Sequence, residues 1–203
     1  MQLPSGVDVL VCCGDFTEDG TDEEVDDFLA WFAVQPARSR ILILGNHEVA
    51  LTRKHSNDAR ALAERLSAAG RVTYLQGSAI EACGLRIFGT PWMALPTSEI
   101  YAHAAWCLPD TSPALGDAYA AIPAGLDLLL THTPPKGVLD GGGLGSAALA
   151  SAVAAKRPRV HCFGHCHSSY GHARSGDVLH VNAAIDATAP EGPIYFDLAV
   201  ACA

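Results

Sequence analysis

Four short apolar runs, each of strand length and each closed by a polar cluster, constrain this chain more than any other feature. Residues 7–13, V-D-V-L-V-C-C, run into Gly14-Asp15, and residues 40–44 run into G-N-H-E, Gly45 to Glu48. Residues 127–131 run into T-H-T-P-P, Thr131 to Pro135, and residues 159–163 run into G-H-C-H, Gly164 to His167. A continuous apolar run of this length reads as a strand buried on both faces, as in the parallel sheets of α/β proteins. Ligands of such sheets collect beyond the carboxyl ends of the strands. The pattern therefore predicts Asp15, Asn46, His47, His132, His165 and His167 on one rim.

Carboxylate, amide oxygen and neutral imidazole form a donor set that suits Mn, Fe or Zn better than Ca. Each cluster alone has an ordinary reading: Gly-Asp as a turn, Asn-His as a loop, His-x-Pro-Pro as a rigid strand terminus. Four in order, each after a strand, are hard to assign to chance. Just past a strand end the backbone turns, so His165 and His167 can converge although they flank Cys166. The Cys166 side chain then points away from theirs, which argues against it as a ligand. Asp22, Glu23, Glu24, Asp26 and Asp27 form another acidic cluster. They read as the solvated face of a helix, favoured by its N-terminal dipole.

The remaining elements follow from periodicity. Thr21 and Glu24 fit a capping box, and Val25, Phe28, Leu29 and Phe32 recur with helical spacing behind it. A second helix is predicted over residues 57–69, stopped at Gly70. Residues 72–75, 79–83 and 85–89 read as closely spaced strands, hence as hairpins. Residues 93–125, broken by Pro96, Pro109, Pro113 and Pro123, leave room for one or two short helices. Gly141-Gly142-Gly143 reads as a mobile loop and not a phosphate loop, because no G-K-[ST] follows. Residues 146–156 read as an Ala-rich helix, and residues 178–182 and 194–199 as closing strands.

Composition narrows the function. The 203 residues are 49% hydrophobic and 17% charged, which suits one globular domain and excludes disorder. A formal charge of -9 argues against a nucleic-acid duplex as partner. It leaves a small phosphate substrate open, since bound dications reverse the local field. No apolar run approaches the roughly 20 residues that cross a membrane. The seven cysteines include no C-x-x-C pair and read as reduced thiols of a cytoplasmic protein.

G-D-F-T, G-N-H-E, T-H-T-P-P and G-H-C-H resemble, in order, four of the five signature blocks of the calcineurin-like metallophosphoesterases. The G-D-F-T-E opening and G-T-P-W at residues 89–92 look most like the metallophosphoesterase-domain-containing subfamily of small phosphodiesterases. The resemblance implies a four-layer α/β/β/α sandwich of two mixed sheets, with a dinuclear metal centre on the rim. Carried over by position, Asp15 bridges both metals, Asn46, His132 and His165 complete one site, and His167 serves the other. His47 becomes the acid that protonates the leaving oxygen, and a metal-bridging hydroxide the nucleophile. The implied cofactors are one or two divalent ions, Mn first, with Fe or Zn as alternatives. The implied partner is a small, nucleotide-like phosphodiester, on which Trp92 stacks unless it is a core residue.

The family's first block, a central strand ending in D-x-H, has no match, and only six residues precede the strand at Val7. Residues 1–203 are therefore expected to be a single metallophosphoesterase domain that is N-terminally incomplete, lacking its first strand and leaving a buried edge unpaired. The rival expectation is a relative that has lost half of its dinuclear centre and binds metal or nucleotide without efficient turnover.

Overall fold

The computed structural model describes residues 3–55, 58–67, 70–94, 106–185 and 192–200. In chain order the elements are β1 (Val7–Cys13), α1 (Asp22–Ala33), β2 (Ala37–Ile43), α2 (Val49–Lys54), α3 (Ala59–Ser67), β3 (Val72–Tyr74), β4 (Ser78–Ala82) and β5 (Leu85–Thr90). They continue as β6 (Met93–Ala94), β7 (Cys107–Leu108), α4 (Pro113–Ala120), β8 (Leu128–Thr131), α5 (Ala147–Lys156), β9 (Val160–Phe163), β10 (Gly171–Ser175) and β11 (Val178–Asn182). One 3-10 turn, His167–Ser169, follows β9.

Two sheets stack face to face. The first is parallel, in the order β1-β2-β3. The second is mixed, in the order β10-β11-β9-β8-β5-β4, with β11, β9, β8 and β5 parallel to one another and antiparallel strands at both ends. Between them lie Cys13, Ile41 and Ile43 of the first sheet against Ile87, Leu128, Leu130, Cys162 and Val181 of the second. Strands buried on both faces explain the near-continuous apolar runs.

Helices cover the two outer faces. On the first sheet, Val25, Leu29 and Phe32 of α1 and Leu62 and Leu66 of α3 pack against Leu42 and Val72. The α1 start is fixed as the sequence predicts: Thr21 Oγ1 accepts the Glu24 N–H at 3.3 Å, and the Glu24 carboxylate accepts the Thr21 N–H at 2.9 Å. On the second sheet, Leu115 and Tyr119 of α4 and Leu149 and Val153 of α5 cover Phe88, Leu129 and Val178. The result is the expected helix–sheet–sheet–helix sandwich, with one refinement: among the described residues only the six-stranded sheet is mixed.

Several elements differ from expectation. The predicted hairpins reduce to β4–β5, turned at Cys83-Gly84, because β3 joins the other sheet. Helix α2 carries no periodic signal long enough to predict it, and β10 has too little apolar alternation to be seen. The predicted strand at 194–199 does not form; Ile194 and Leu198 instead pack by side chain against the inter-sheet core. Of the 57–69 helix, residue 57 and residues 68–69 lie outside the described residues, as do Pro96 and Cys202. The other six cysteines are free thiols. Strand β1 ends its sheet, and among the described residues its outer edge pairs with no strand. No described helix is long and apolar enough to cross a membrane.

Candidate metal centre

Four of the predicted clusters leave their strands at the same end of the sandwich. Asp15 follows β1, Asn46 and His47 follow β2, His132 follows β8, and His165 follows β9. The parallel strands of each sheet deliver their C-terminal ends, and hence these side chains, to one rim. The backbone is tight where they meet. Asp15 and His165 both hold left-handed conformations, with φ of 54° and 67°. Such conformations are uncommon outside glycine and cluster at functional sites. Gly14 and Gly45 make the approach possible: a Cβ on Gly14 would meet Gly45 N at 2.5 Å, and one on Gly45 would strike both the Asp15 carboxylate and His132 Cε1, the latter at 2.6 Å.

His132 sits at the centre and is fully buried. Its Nδ1 lies 2.7 Å from the Cys13 carbonyl oxygen. A carbonyl only accepts, so Nδ1 carries the hydrogen and Nε2 presents a lone pair. That lone pair faces Asn46 Oδ1 at 3.0 Å and Asp15 Oδ2 at 3.1 Å. Nε2 thus lies at hydrogen-bond distance from two oxygens that carry lone pairs. A proton on His132 Nε2 relieves the crowding, and so does a cation placed among them. Burial opposes charging of His132, but Asp15, the Cys13 carbonyl and Glu48 together outweigh it and raise the imidazole pKa. Burial likewise works against Asp15, yet His132 and the His47 N–H, 2.9 Å from Oδ1, hold its carboxyl well below the usual range.

His165 completes the group. Ligand atoms of Asp15, His132 and His165 lie within 4.8 Å of one another. Burial and the neighbouring His132 lower the His165 pKa to about 4, so its ring is neutral and offers a lone pair at pH 7. Carboxylate, amide oxygen and two imidazoles fit a first-row dication. The Cys13 carbonyl, behind the ring, fixes the His132 tautomer that ligation needs. His167 lies outside the group of mutually close donors, on the 3-10 turn, but lines the same cavity of about 370 Å³ together with Asp15, Asn46, His47 and His165.

His47 Nδ1 lies 2.9 Å from the Glu18 carbonyl oxygen, so Nδ1 carries hydrogen. Trp92 does not line this cavity. Partly buried against the outer core cluster, it packs edge-on against Trp106, with ring centroids 5.3 Å apart, and its carbonyl accepts the Tyr119 hydroxyl at 3.0 Å. Cys166 is buried and is among the residues that line the cavity. Its sulfur is nonetheless not in the group of mutually close donor atoms.

Sequence reasoning missed Glu48. Its fully buried carboxylate accepts the N–H groups of Asp15, Phe16, Thr17 and Gly45 at 3.1, 2.8, 3.1 and 2.6 Å, and the Thr17 hydroxyl at 3.1 Å. Burial and the Asp15 charge push its pKa up, while these donors oppose the rise. Glu48 therefore ties the loop after β1 to the loop after β2. The fourth letter of G-N-H-E was its only sequence signal.

Comparison with known proteins agrees with this arrangement. The sequence pattern of the calcineurin-like phosphoesterases matches residues 2–169. A UPF0046 protein of Caenorhabditis elegans is 32% identical, over 97% of this chain and 74% of its own. Human metallophosphoesterase domain-containing protein 1 is 33% identical over 91% of this chain, which spans 61% of that relative's length. The crystal structure of TT1561 of Thermus thermophilus superposes with a TM-score of 0.58 over 88% of this chain and 77% of the other, at 16% identity, and so supports the fold. The blocks at the strand ends, the four-layer fold and the matched pattern lead to one conclusion: the chain belongs to the calcineurin-like phosphoesterase family.

Proposed function

We propose that this chain is a metal-dependent phosphodiesterase acting on small, nucleotide-like phosphodiesters. The observation that carries the reading is that His132 Nε2 lies 3.0 Å from Asn46 Oδ1 and 3.1 Å from Asp15 Oδ2, with neutral His165 beside them. These four residues would hold one divalent ion, with manganese proposed ahead of iron or zinc. Asp15 and His167 are the two residues left to hold a second. A bound dication supplies Lewis acidity toward a phosphoryl oxygen and acidifies water. The chain's own residues do the rest. Asp15 and Glu48 keep the donor loops rigid, and His47 stands on the cavity wall with Nδ1–H anchored to Glu18, so that Nε2 can deliver a proton to the leaving oxygen.

The diester preference has its own support. Among the described residues lining the cavity there is no Lys or Arg. A singly charged diester demands less counter-charge than a doubly charged monoester. The test is hydrolysis of bis(4-nitrophenyl) phosphate and 4-nitrophenyl phosphate by protein reloaded with Mn. Activity on the diester, lost in EDTA and in Asp15→Ala, is expected; faster turnover of the monoester would overturn the diester reading. His47→Ala should retain metal affinity. It should slow a diester with an alkoxide leaving group by about 100-fold or more while sparing one with an activated phenol, because a good leaving group needs little proton transfer. Equal losses on both would make His47 a positioning residue.

A further inference from the structure

The wall of the metal cavity carries one half-exposed aliphatic side chain, Leu144, at 48% exposure. Of the other lining residues, Asp15, Asn46, His47, His165, His167 and Ser168 are polar and Cys166 is buried, while Trp92 packs instead against the core. Leu144 is also held in place. It lies in the glycine loop read from sequence as mobile, yet that loop is tied at several points. The Asp140 carboxylate accepts the N–H groups of Gly137 at 2.8 Å and Gly142 at 3.2 Å, and the Asp140 carbonyl accepts the Leu144 N–H at 2.9 Å. Gly141 N–H donates to Ser169 Oγ at 3.1 Å, on the turn that carries His167. Lys136 N–H donates to the Ser146 carbonyl at 2.9 Å, which pins the far end of the loop beside the strand exit of His132. Gly145 is so close to the segment after His132 that a Cβ there would meet Lys136 Cα at 2.6 Å. A tethered loop that leaves a leucine facing a polar cavity presents an apolar surface at fixed distance from the donors.

We propose that Leu144 is a specificity-determining residue: it covers the organic group that stays on phosphorus and selects phosphodiesters in which that group is aryl or nucleobase-bearing over those in which it is a small alkyl. The assignment rests on the phosphodiesterase reading above and deepens it. An aromatic face seated on Leu144 leaves water, whereas a methyl group is too small to reach it, so the contact contributes to binding and little to the chemical step.

The test compares two substrates with the same leaving group, bis(4-nitrophenyl) phosphate and methyl 4-nitrophenyl phosphate, in the Mn-loaded wild type and in Leu144→Ser and Leu144→Ala. KM for the bis-aryl ester should rise about tenfold, the loss expected from uncovering part of one leucine's apolar surface, with kcat nearly unchanged. The methyl ester should change less than about twofold in either parameter. A readout independent of turnover is calorimetric binding of phenylphosphonate and methylphosphonate, where only the phenyl compound should weaken. Melting temperatures should match, since Leu144 is half exposed. Parallel changes for both substrates, or none for either, overturn the assignment of Leu144 while leaving the enzyme reading intact. A wild type that hydrolyses neither diester and binds neither phosphonate overturns both.

Discussion

Glu48 is not in the group of close-set donor atoms, yet the five hydrogen bonds it accepts set where those donors stand. Both Asp15 and Gly45 hang from its carboxylate by their backbone N–H groups. Asp15 is kept left-handed, a conformation it leaves readily if released. Glu48→Gln keeps the volume but points an amide at backbone donors, so at least two bonds are lost. The expected cost is about 3 kcal/mol of stability in chemical denaturation of the metal-free protein, with a weaker Mn affinity in titration. Unchanged stability and affinity would show that the clamp is dispensable. This is also where sequence reading reaches its limit. Asp15, Asn46, His132 and His165 were legible because each follows an apolar run. Glu48 sits in the same run-end cluster, but its partners in the β1 loop lie more than 30 residues upstream. No local pattern marks a carboxylate that serves backbone groups of another loop.

At the scale of elements, what could be read was whatever writes its period into side chains. α1 has both its cap and its apolar stripe, and β2, β8 and β9 have their runs. β10, G-H-A-R-S, is an end strand with mostly exposed side chains, held by its ladder to β11 and not by burial. Segment 194–199 shows the opposite failure, an apolar pattern that packs Ile194 and Leu198 against the core without any ladder. The pairing of β9 with β11 brings two buried histidines, His161 and His180, opposite each other in register. The Thr131 hydroxyl donates to the Thr133 carbonyl, so its oxygen must accept from His161 Nε2–H at 2.8 Å. The buried Nδ1 atoms of both rings then have no hydrogen-bond partner. Burial, with His180 beside it, lowers the His161 pKa well below 6.5, and burial lowers that of His180. The sign follows from proton counting. Below the ordinary value of about 6.5 the unfolded chain binds protons that the folded chain refuses, so stability falls as pH drops through 6.5 toward the folded values. The loss should approach about 1.4 kcal/mol per pH unit for each such group. His161→Gln, which can still donate to Thr131, should flatten the fall in denaturation free energy between pH 7 and pH 5. An equally steep fall in the variant would place the acid sensitivity elsewhere.

The sandwich is two sheets joined through one apolar layer, and the residues that would hold an ion lie where that layer reaches the rim. Asp15 and Asn46 belong to loops of the three-stranded sheet, His132 and His165 to loops of the six-stranded sheet. Without the ion, the contacts across the rim include the His132 bonds to Cys13 and Asn46 and its ion pair with Asp15. The three-stranded sheet is the weaker partner: it is short, β1 is half exposed along most of its length, and its outer edge has no ladder among the described residues. A ligand that binds only the folded state adds stability as the logarithm of its concentration over Kd, about 2.7 kcal/mol at 100 times Kd. Here that stabilisation should appear in both sheets at once, because the ligand atoms are divided between them. Hydrogen exchange measured with and without Mn tests this. On adding Mn, amides of β1 and β2 should slow together with those at the ends of β8 and β9, while β4 and β10, at the far edges of the second sheet, should change little. Binding should saturate nearer one equivalent than two, since Asp15, Asn46, His132 and His165 are the proposed holders of one ion and only the shared Asp15 and His167 are left for a second. Protection confined to one sheet would mean that the ion is not held by donors from both, and the four-residue centre would have to be given up. Saturation at two tightly held equivalents would instead show that residues outside the four complete a second site.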